Sequence, residues 1–163
     1  MANVRRLTAA DLPRLRQFWI DHWGGEIVVV HGEIFRPEQM DGFVAEDEGE
    51  WIAVAAFVCS GPECEVVSLD SLRTGEGIGS RLLGRVIEAA RAAEAKRVVV
   101  TTTNDNLEAL GFYQRRGFEL AGLRRGALEE TRRLKPGIPK TGRRGIPLRD
   151  ELQLELALPD GGR

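Results

Sequence analysis

Apolar positions change period several times along the chain, and each change marks an element. Asn3 to Leu7 forms a short β-prone stretch, and Thr8-Ala-Ala-Asp11 then reads as a helix start, with Pro13 early enough to be tolerated. Leu12, Leu15, Phe18 and Trp19 recur at helical spacing, giving a helix with one apolar face that Gly24-Gly25 ends. Glu26 to His31, containing Ile27-Val28-Val29-Val30, reads as a strand or an extended loop, and Phe35 to Met40 as a loop around Pro37. Gly42 to Glu46 and Trp51 to Ser60 flank the polar turn Asp47-Glu48-Gly49-Glu50, a hairpin signal. Gly61-Pro62 is a second turn, and Glu63 to Leu69 completes an antiparallel meander.

The second half has a different rhythm. Ile78, Leu82, Leu83, Val86, Ile87 and Ala90 make one helical stripe, and Arg81, Arg85, Glu88 and Arg91 fall outside it. Arg97 to Thr101 carries the unbroken apolar run Val98-Val99-Val100, as expected for a strand buried on both faces. The order strand, helix, strand makes this pair parallel through a right-handed crossover. Thr103-Asn104-Asp105 supplies the cap of a helix patterned by Leu107, Leu110 and Phe112 or Tyr113 and closed by Gly117. Phe118 to Leu123 is a further strand, Ala127 to Leu134 a short helix, and Pro136 to Pro147 a long Pro/Gly loop. In Leu148 to Leu158 the residues Leu148, Leu152, Leu154, Leu156 and Leu158 alternate with Arg149, Glu151, Gln153 and Glu155, while Asp150 stands on the apolar face. The fold class is therefore α+β, a mixed α/β arrangement in one domain over residues 1–163. Its sheet is antiparallel in the first half, parallel around the glycine-rich helix, and flanked by helices.

Composition narrows the partners. The chain has 163 residues, 42% of them hydrophobic, enough for a real core. Its formal net charge of -2 gives no bulk electrostatic case for nucleic acid or an anionic membrane. No apolar run reaches bilayer length, and Met-Ala-Asn-Val-Arg-Arg lacks the apolar core of a signal peptide, so a cytoplasmic location is expected. Cys59 and Cys64 fall on adjoining strands and could meet, but a cytosolic chain of this size keeps them reduced, as small buried hydrophobes. His22 and His31 each stand alone and are read as surface or packing residues, so no metal is expected.

The chemistry is concentrated between Glu65 and Leu83. A β run feeds Thr74-Gly75-Glu76-Gly77-Ile78-Gly79-Ser80, which opens directly into a helix. Glycines let a ligand approach the backbone, and the unpaired amides of the first helical turn suit a phosphate or pyrophosphate. A nucleotide P-loop would need Lys followed by Ser or Thr after the second glycine, and Ile78-Gly79-Ser80 has no Lys. The dinucleotide fingerprint would need glycine at position 80, where Ser80 stands, and would sit in the first strand–helix unit.

Thr74-Gly75-Glu76-Gly77-Ile78-Gly79 instead resembles the pyrophosphate loop of the GNAT N-acetyltransferase superfamily, [QR]-x-x-G-x-[GA]. Asn106-Leu-Glu-Ala109-Leu-Gly-Phe112-Tyr113-Gln-Arg-Arg-Gly117-Phe118 resembles its second signature, N-x-x-A-x-x-F-Y-x-x-x-G-F, at the family's separation of one helix and one strand. The resemblance implies a GNAT-like fold, a central mixed sheet of six to seven strands with acetyl-CoA as co-substrate. It further implies that the pantetheine arm pairs with a splayed strand at Leu69, Asp70 and Ser71, that the pyrophosphate sits on the amides of Thr74, Gly75, Glu76, Gly77, Ile78, Gly79 and Ser80, and that Asn106 contacts the pantetheine side. Tyr113 matches the tyrosine that protonates the leaving thiolate; a phenol of pKa about 10 can serve a thiolate near 8.5 if it is in reach. The family's Gln or Arg is here Thr74, and Arg73 and Arg81 flank the site and could supply the charge.

Some family members carry a glutamate base on the strand before the loop. Glu63 and Glu65 share one face of that strand, and Glu65 is the preferred base. Residues 124–147, rich in arginine and lysine, form the candidate acceptor-site helix and loop, with Asp150 holding a cation or the loop itself. The expected activity is direct acetyl transfer to a primary amine of a small molecule or peptide. An acyl-CoA-binding regulatory module without transfer is the competing reading, and a homodimer is compatible with the chain.

Overall fold

The computed structural model of the chain describes residues 2–73 and 75–159. Thr74, expected in the phosphate cradle, lies outside them. The elements run β1 (Asn3–Arg6), α1 (Leu12–Trp23), β2 (Val28–Val30), β3 (Glu33–Phe35), β4 (Asp41–Asp47), β5 (Glu50–Ser60), β6 (Glu63–Ser71), α2 (Ile78–Ala92), β7 (Arg97–Thr103), α3 (Leu107–Arg115), β8 (Glu119–Arg124), α4 (Ala127–Leu134) and β9 (Glu151–Ala157). Seven strands form one sheet in the order β1-β4-β5-β6-β7-β9-β8, and β2 and β3 form a separate ribbon. Among the described residues only β6 and β7 pair in parallel, across the α2 crossover.

Each sheet face carries a core. On one, Ile78, Leu82, Leu83 and Val86 of α2 and Tyr113 of α3 pack on Phe43, Ala45, Phe57, Cys64 and Val66. On the other, Leu15, Phe18 and Trp19 of α1 pack on Val44, Trp51, Val54, Ala56 and Val67. Gly24, at φ 75°, ends α1 in the left-handed conformation that glycine favours.

The feature that creates a site is a fork in the sheet. The β6–β7 register ends at Val66↔Val100, yet β6 continues along β5 to Ser71 and β7 along β9 to Thr103. Opposite the fork the β5–β6 register jumps from Ala56↔Ser68 to Phe57↔Val66. Val67 is the extra residue of this bulge, which bends β6 away from β7.

Three local expectations need correction. The alternation in the last strand suggests a solvent face for Glu151, but Glu151 is only 2% exposed. It accepts the His31 backbone N–H that follows β2, because the β2–β3 ribbon covers that stretch as a further layer. The helix cap is Asn106, whose side chain accepts from the Ala109 N–H, and not the Thr103–Asp105 segment before it. Cys59 and Cys64 face each other across β5 and β6 with Cα atoms 3.9 Å apart and are joined as a disulfide, not held as two reduced side chains.

The sheet edge is secured by charge. The Arg5 guanidinium donates to Asp11 Oδ2 at 2.8 Å and to Glu46 Oε1 at 2.7 Å, tying β1 to the turn before α1 and to β4. Those bonds hold the Asp11 carboxyl down at about 2 against the opposing effect of burial. A depressed carboxyl pKa adds stability above the unfolded value, near 3.8, and loses it as pH falls toward 2. Arg5→Ala is therefore expected to cost about 1 kcal/mol at neutral pH, a modest figure because Arg5 is partly exposed, and to cost less at pH 3. Urea unfolding at the two pH values reads the difference.

Candidate active site

The fork opens into a cleft of about 720 Å³ that runs from His22 and Trp23 at the end of α1 to the glycine turn and the α3 face. Leu72 donates its N–H to Ile52 O across β5 at 2.8 Å. Backbone alternation then turns the N–H groups of Ser71 and Leu69 the other way, toward the gap where β7 has left. Those are the free strand donors an extended ligand arm needs. The Leu69 side chain packs with the α2–α3 core. Asp70 pairs with Val54, a residue of the opposite core, so its carboxylate faces the α1 side.

The turn leaves backbone amides open at the start of α2. Gly77 is the N-cap of α2, in the left-handed region at φ 71°, and Gly75 has φ 80°. A Cβ on either would meet no protein atom within 4 Å and would project into open space. The first helical bond of α2 runs from the Arg81 N–H to Gly77 O, so the amides of Ile78, Gly79 and Ser80 have no helical partner. A Cβ on Gly79 would lie 3.5 Å from the Phe112 ring, an ordinary contact, so the α2–α3 packing alone does not demand glycine there.

The compensating cations include one of the two expected and three more. Arg73 lines the cleft and pairs with Asp47 at 2.6 Å, whereas Arg81 is turned to the Ala2 carbonyl. Arg115, Arg116 and Arg143 line the cleft as well. Arg116 donates to Ser80 Oγ and to the Phe112 carbonyl, and its guanidinium stacks 3.7 Å from the Phe112 ring centroid. The sequence signal was there, as Arg115-Arg116 inside the second signature, but only the α2–α3 packing brings the pair beside the turn.

Tyr113 lines the cleft, packed edge-on between Phe112 and Phe118 at centroid distances of 5.1 and 5.2 Å. Burial first, and the Asp70 charge second, push its phenol well above the ordinary range. The hydroxyl therefore stays protonated and is a hydrogen-bond donor at working pH. Asn106 also lines the cleft. Its Oδ1 caps α3 and accepts from Arg143 Nη1 at 3.2 Å, which leaves the Nδ2 donor for a ligand.

Glu65 is not in this cleft. It lies one pair behind the fork and opens into a second cleft of about 380 Å³, with His31, Glu33, Glu63, Arg124 and Gln153; Thr101 lines both clefts. Its Oε2 is 2.6 Å from His31 Nε2. That hydrogen bond, acting against burial, raises the His31 pKa. His31 is thus more than a lone surface residue: it is the partner of Glu65.

The Pro/Gly loop is pinned, not free. Asn104 Oδ1 accepts the N–H groups of Arg149 and Asp150, and its Nδ2 donates to Pro147 O. Asp105 Oδ2 accepts the Arg143 N–H at 2.9 Å, and a Cβ on Gly142 would sit 2.2 Å from that oxygen, so glycine alone fits there. Asp150 accepts from the Gly126 N–H and from Arg149, which hold its carboxyl below the usual range. Asp150 thus holds the loop end and the start of α4. Lys135 donates to the carbonyls of Trp23 and Ile27, clamping the end of α1 beside the cleft.

A parallel strand pair that forks, followed by a glycine turn at a helix N-terminus and a tyrosine helix across the gap, defines an acyl-transfer site of one class. The acetyltransferase (GNAT) family model matches residues 5–118, and the chain belongs to that family. It is 42% identical over 139 residues to the uncharacterised protein YdhI of Bacillus subtilis, covering 85% of this chain and 87% of that one. It is 29% identical over 122 residues to an amino-acid acetyltransferase of Mycobacterium tuberculosis, covering 71% and 67%. Among solved structures, a GNAT family acetyltransferase from Elizabethkingia anophelis with acetyl-CoA bound superposes with a TM-score of 0.68 at 21% identity, over 96% of this chain and 98% of that one.

Proposed function

We propose that the protein moves the acetyl group of acetyl-CoA onto a primary amine by direct attack, with no covalent enzyme intermediate. The observation that carries this reading is the forked β6–β7 pair leading into the glycine cradle, which supplies unpaired strand donors at one end and unpaired helix amides at the other. It is supported by the acetyl-CoA bound to the Elizabethkingia acetyltransferase. The Leu69 and Ser71 N–H groups would hold the thioester and the pantetheine arm, and Asn106 Nδ2 would bond the arm from the α3 side. The amides from Gly75 to Ser80, with Arg115, Arg116 and Arg143, would hold the pyrophosphate.

Tyr113 sits on the α3 side of the gap. As charge builds on the sulfur, its hydroxyl donates a hydrogen bond to it. The raised phenol pKa makes this a stabilising donor and not a ready source of free protons. The acceptor amine approaches from the α1 side, past Trp23 and the clamped loop. The test is thiol release from acetyl-CoA with a panel of amino acids, amino-acid amides, polyamines and short peptides, each product checked by mass spectrometry. Acetylated product with stoichiometric thiol supports the reading. Acetyl-CoA binding with no turnover on any amine would make the protein a binding module.

A further inference from the structure

The geometry points to Asp70 as the group that receives the acceptor's ammonium and removes its proton. This rests on the transfer reading above and names the base within it. Asp70 follows Leu69, whose N–H faces the gap where the thioester would lie, and its carboxylate projects to the α1 side, from which an amine can attack the acetyl carbon. One bond orients it: Trp23 Nε1 donates to Oδ2 at 2.8 Å. The groups facing it are His22 and Trp23 from α1, Arg143 from the loop and Tyr113 from α3, and none of the three charged or ionisable ones forms an ion pair with it. A carboxylate set in a cleft with no ion-pair partner is an incomplete site, and a substrate ammonium completes it.

The chemistry of the position agrees. Burial raises the Asp70 pKa, outweighing the Trp23 hydrogen bond, so it is a better base than a solvated aspartate. Glu65, the other candidate on β6, has His31 as its partner and opens into the other cleft. In the reaction the ammonium passes one proton to the Asp70 carboxylate. The nitrogen lone pair forms the N–C bond, the C–S bond breaks and its electron pair goes to sulfur, hydrogen-bonded by Tyr113. The nitrogen's second proton ends on the sulfur through solvent, and Asp70 later gives its own proton to water. Trp23 is a positioning residue.

The test uses the full chain and the amine of highest kcat/KM from the panel above. Asp70→Asn is expected to lower kcat/KM at least about 100-fold, to leave the acetyl-CoA Kd within about twofold, and to remove the acidic limb of the pH–rate profile. Glu65→Gln should keep that limb. Because the fold favours protonated Asp70, ionising it costs stability as pH rises through its raised pKa, so the asparagine variant should also melt at a higher temperature at pH 8. Wild-type turnover by Asp70→Asn, an acidic limb that persists in it, or loss of the limb in Glu65→Gln would overturn the assignment. So would an equal loss of acetyl-CoA binding. Absence of wild-type turnover on every amine would instead defeat the transfer reading, and the assignment with it.

Discussion

Gly77→Val should abolish useful binding of acetyl-CoA, weakening its Kd at least about 100-fold. Two effects act together. Gly77 has φ 71°, a region that costs a β-branched residue about 1–2 kcal/mol or more. Its added side chain would also fill space that the protein leaves open at the amides of Ile78, Gly79 and Ser80. Gly84→Ala is the control: Gly84 lies inside α2 with nothing within 4 Å of its added Cβ. That variant should bind normally and gain up to about 1 kcal/mol of stability. Titration calorimetry on both variants reads the result. Retained micromolar affinity in Gly77→Val would remove the turn from the binding site.

Tyr113→Phe should lower kcat about 10- to 100-fold while leaving the acetyl-CoA Kd within about twofold. Phenylalanine preserves the edge-on packing between Phe112 and Phe118, and the hydroxyl has little else to do in this apolar setting, so the fold should be as stable as wild type or slightly more so. A steady-state comparison at saturating amine and acetyl-CoA checks it. An unchanged kcat would take Tyr113 out of the mechanism.

Much of the molecule was legible from periodicity and punctuation. The helices α1, α2, α3 and α4, the β4–β5–β6 meander and the parallel β6–β7 pair follow directly from where leucine, valine and glycine recur. The glycine turn and the Asn106–Tyr113 helix are brought together by the resemblance of both blocks, at their separation, to the paired signatures of the acetyltransferase family. What escaped depends on contacts between distant segments. Nothing local in Glu151 announces that a ribbon 120 residues earlier will bury it. His31 looked solitary because its partner Glu65 lies 34 residues away. Asn104 and Asp105 looked like helix caps, since these residue types bond nearby amides, and they do so, but to the returning loop. The same reason applies to the proposed base. Glu63 and Glu65 stand out in the sequence as acids on a strand, whereas Asp70 falls in the backbone arm, because the fork that aims its carboxylate rests on a bulge the sequence does not show.

In the proposed reaction this cleft moves an acetyl group from the thioester to an amine nitrogen. Acetyl-CoA carrying a 13C-labelled acetyl group, incubated with the amine panel and the wild-type protein, measures this directly when labelled product and free thiol are quantified together. Labelled N-acetyl product equal to the thiol released is expected, with both reduced in parallel in Tyr113→Phe. Thiol release without labelled product, or product formed as fast by Gly77→Val as by wild type, would contradict that reaction.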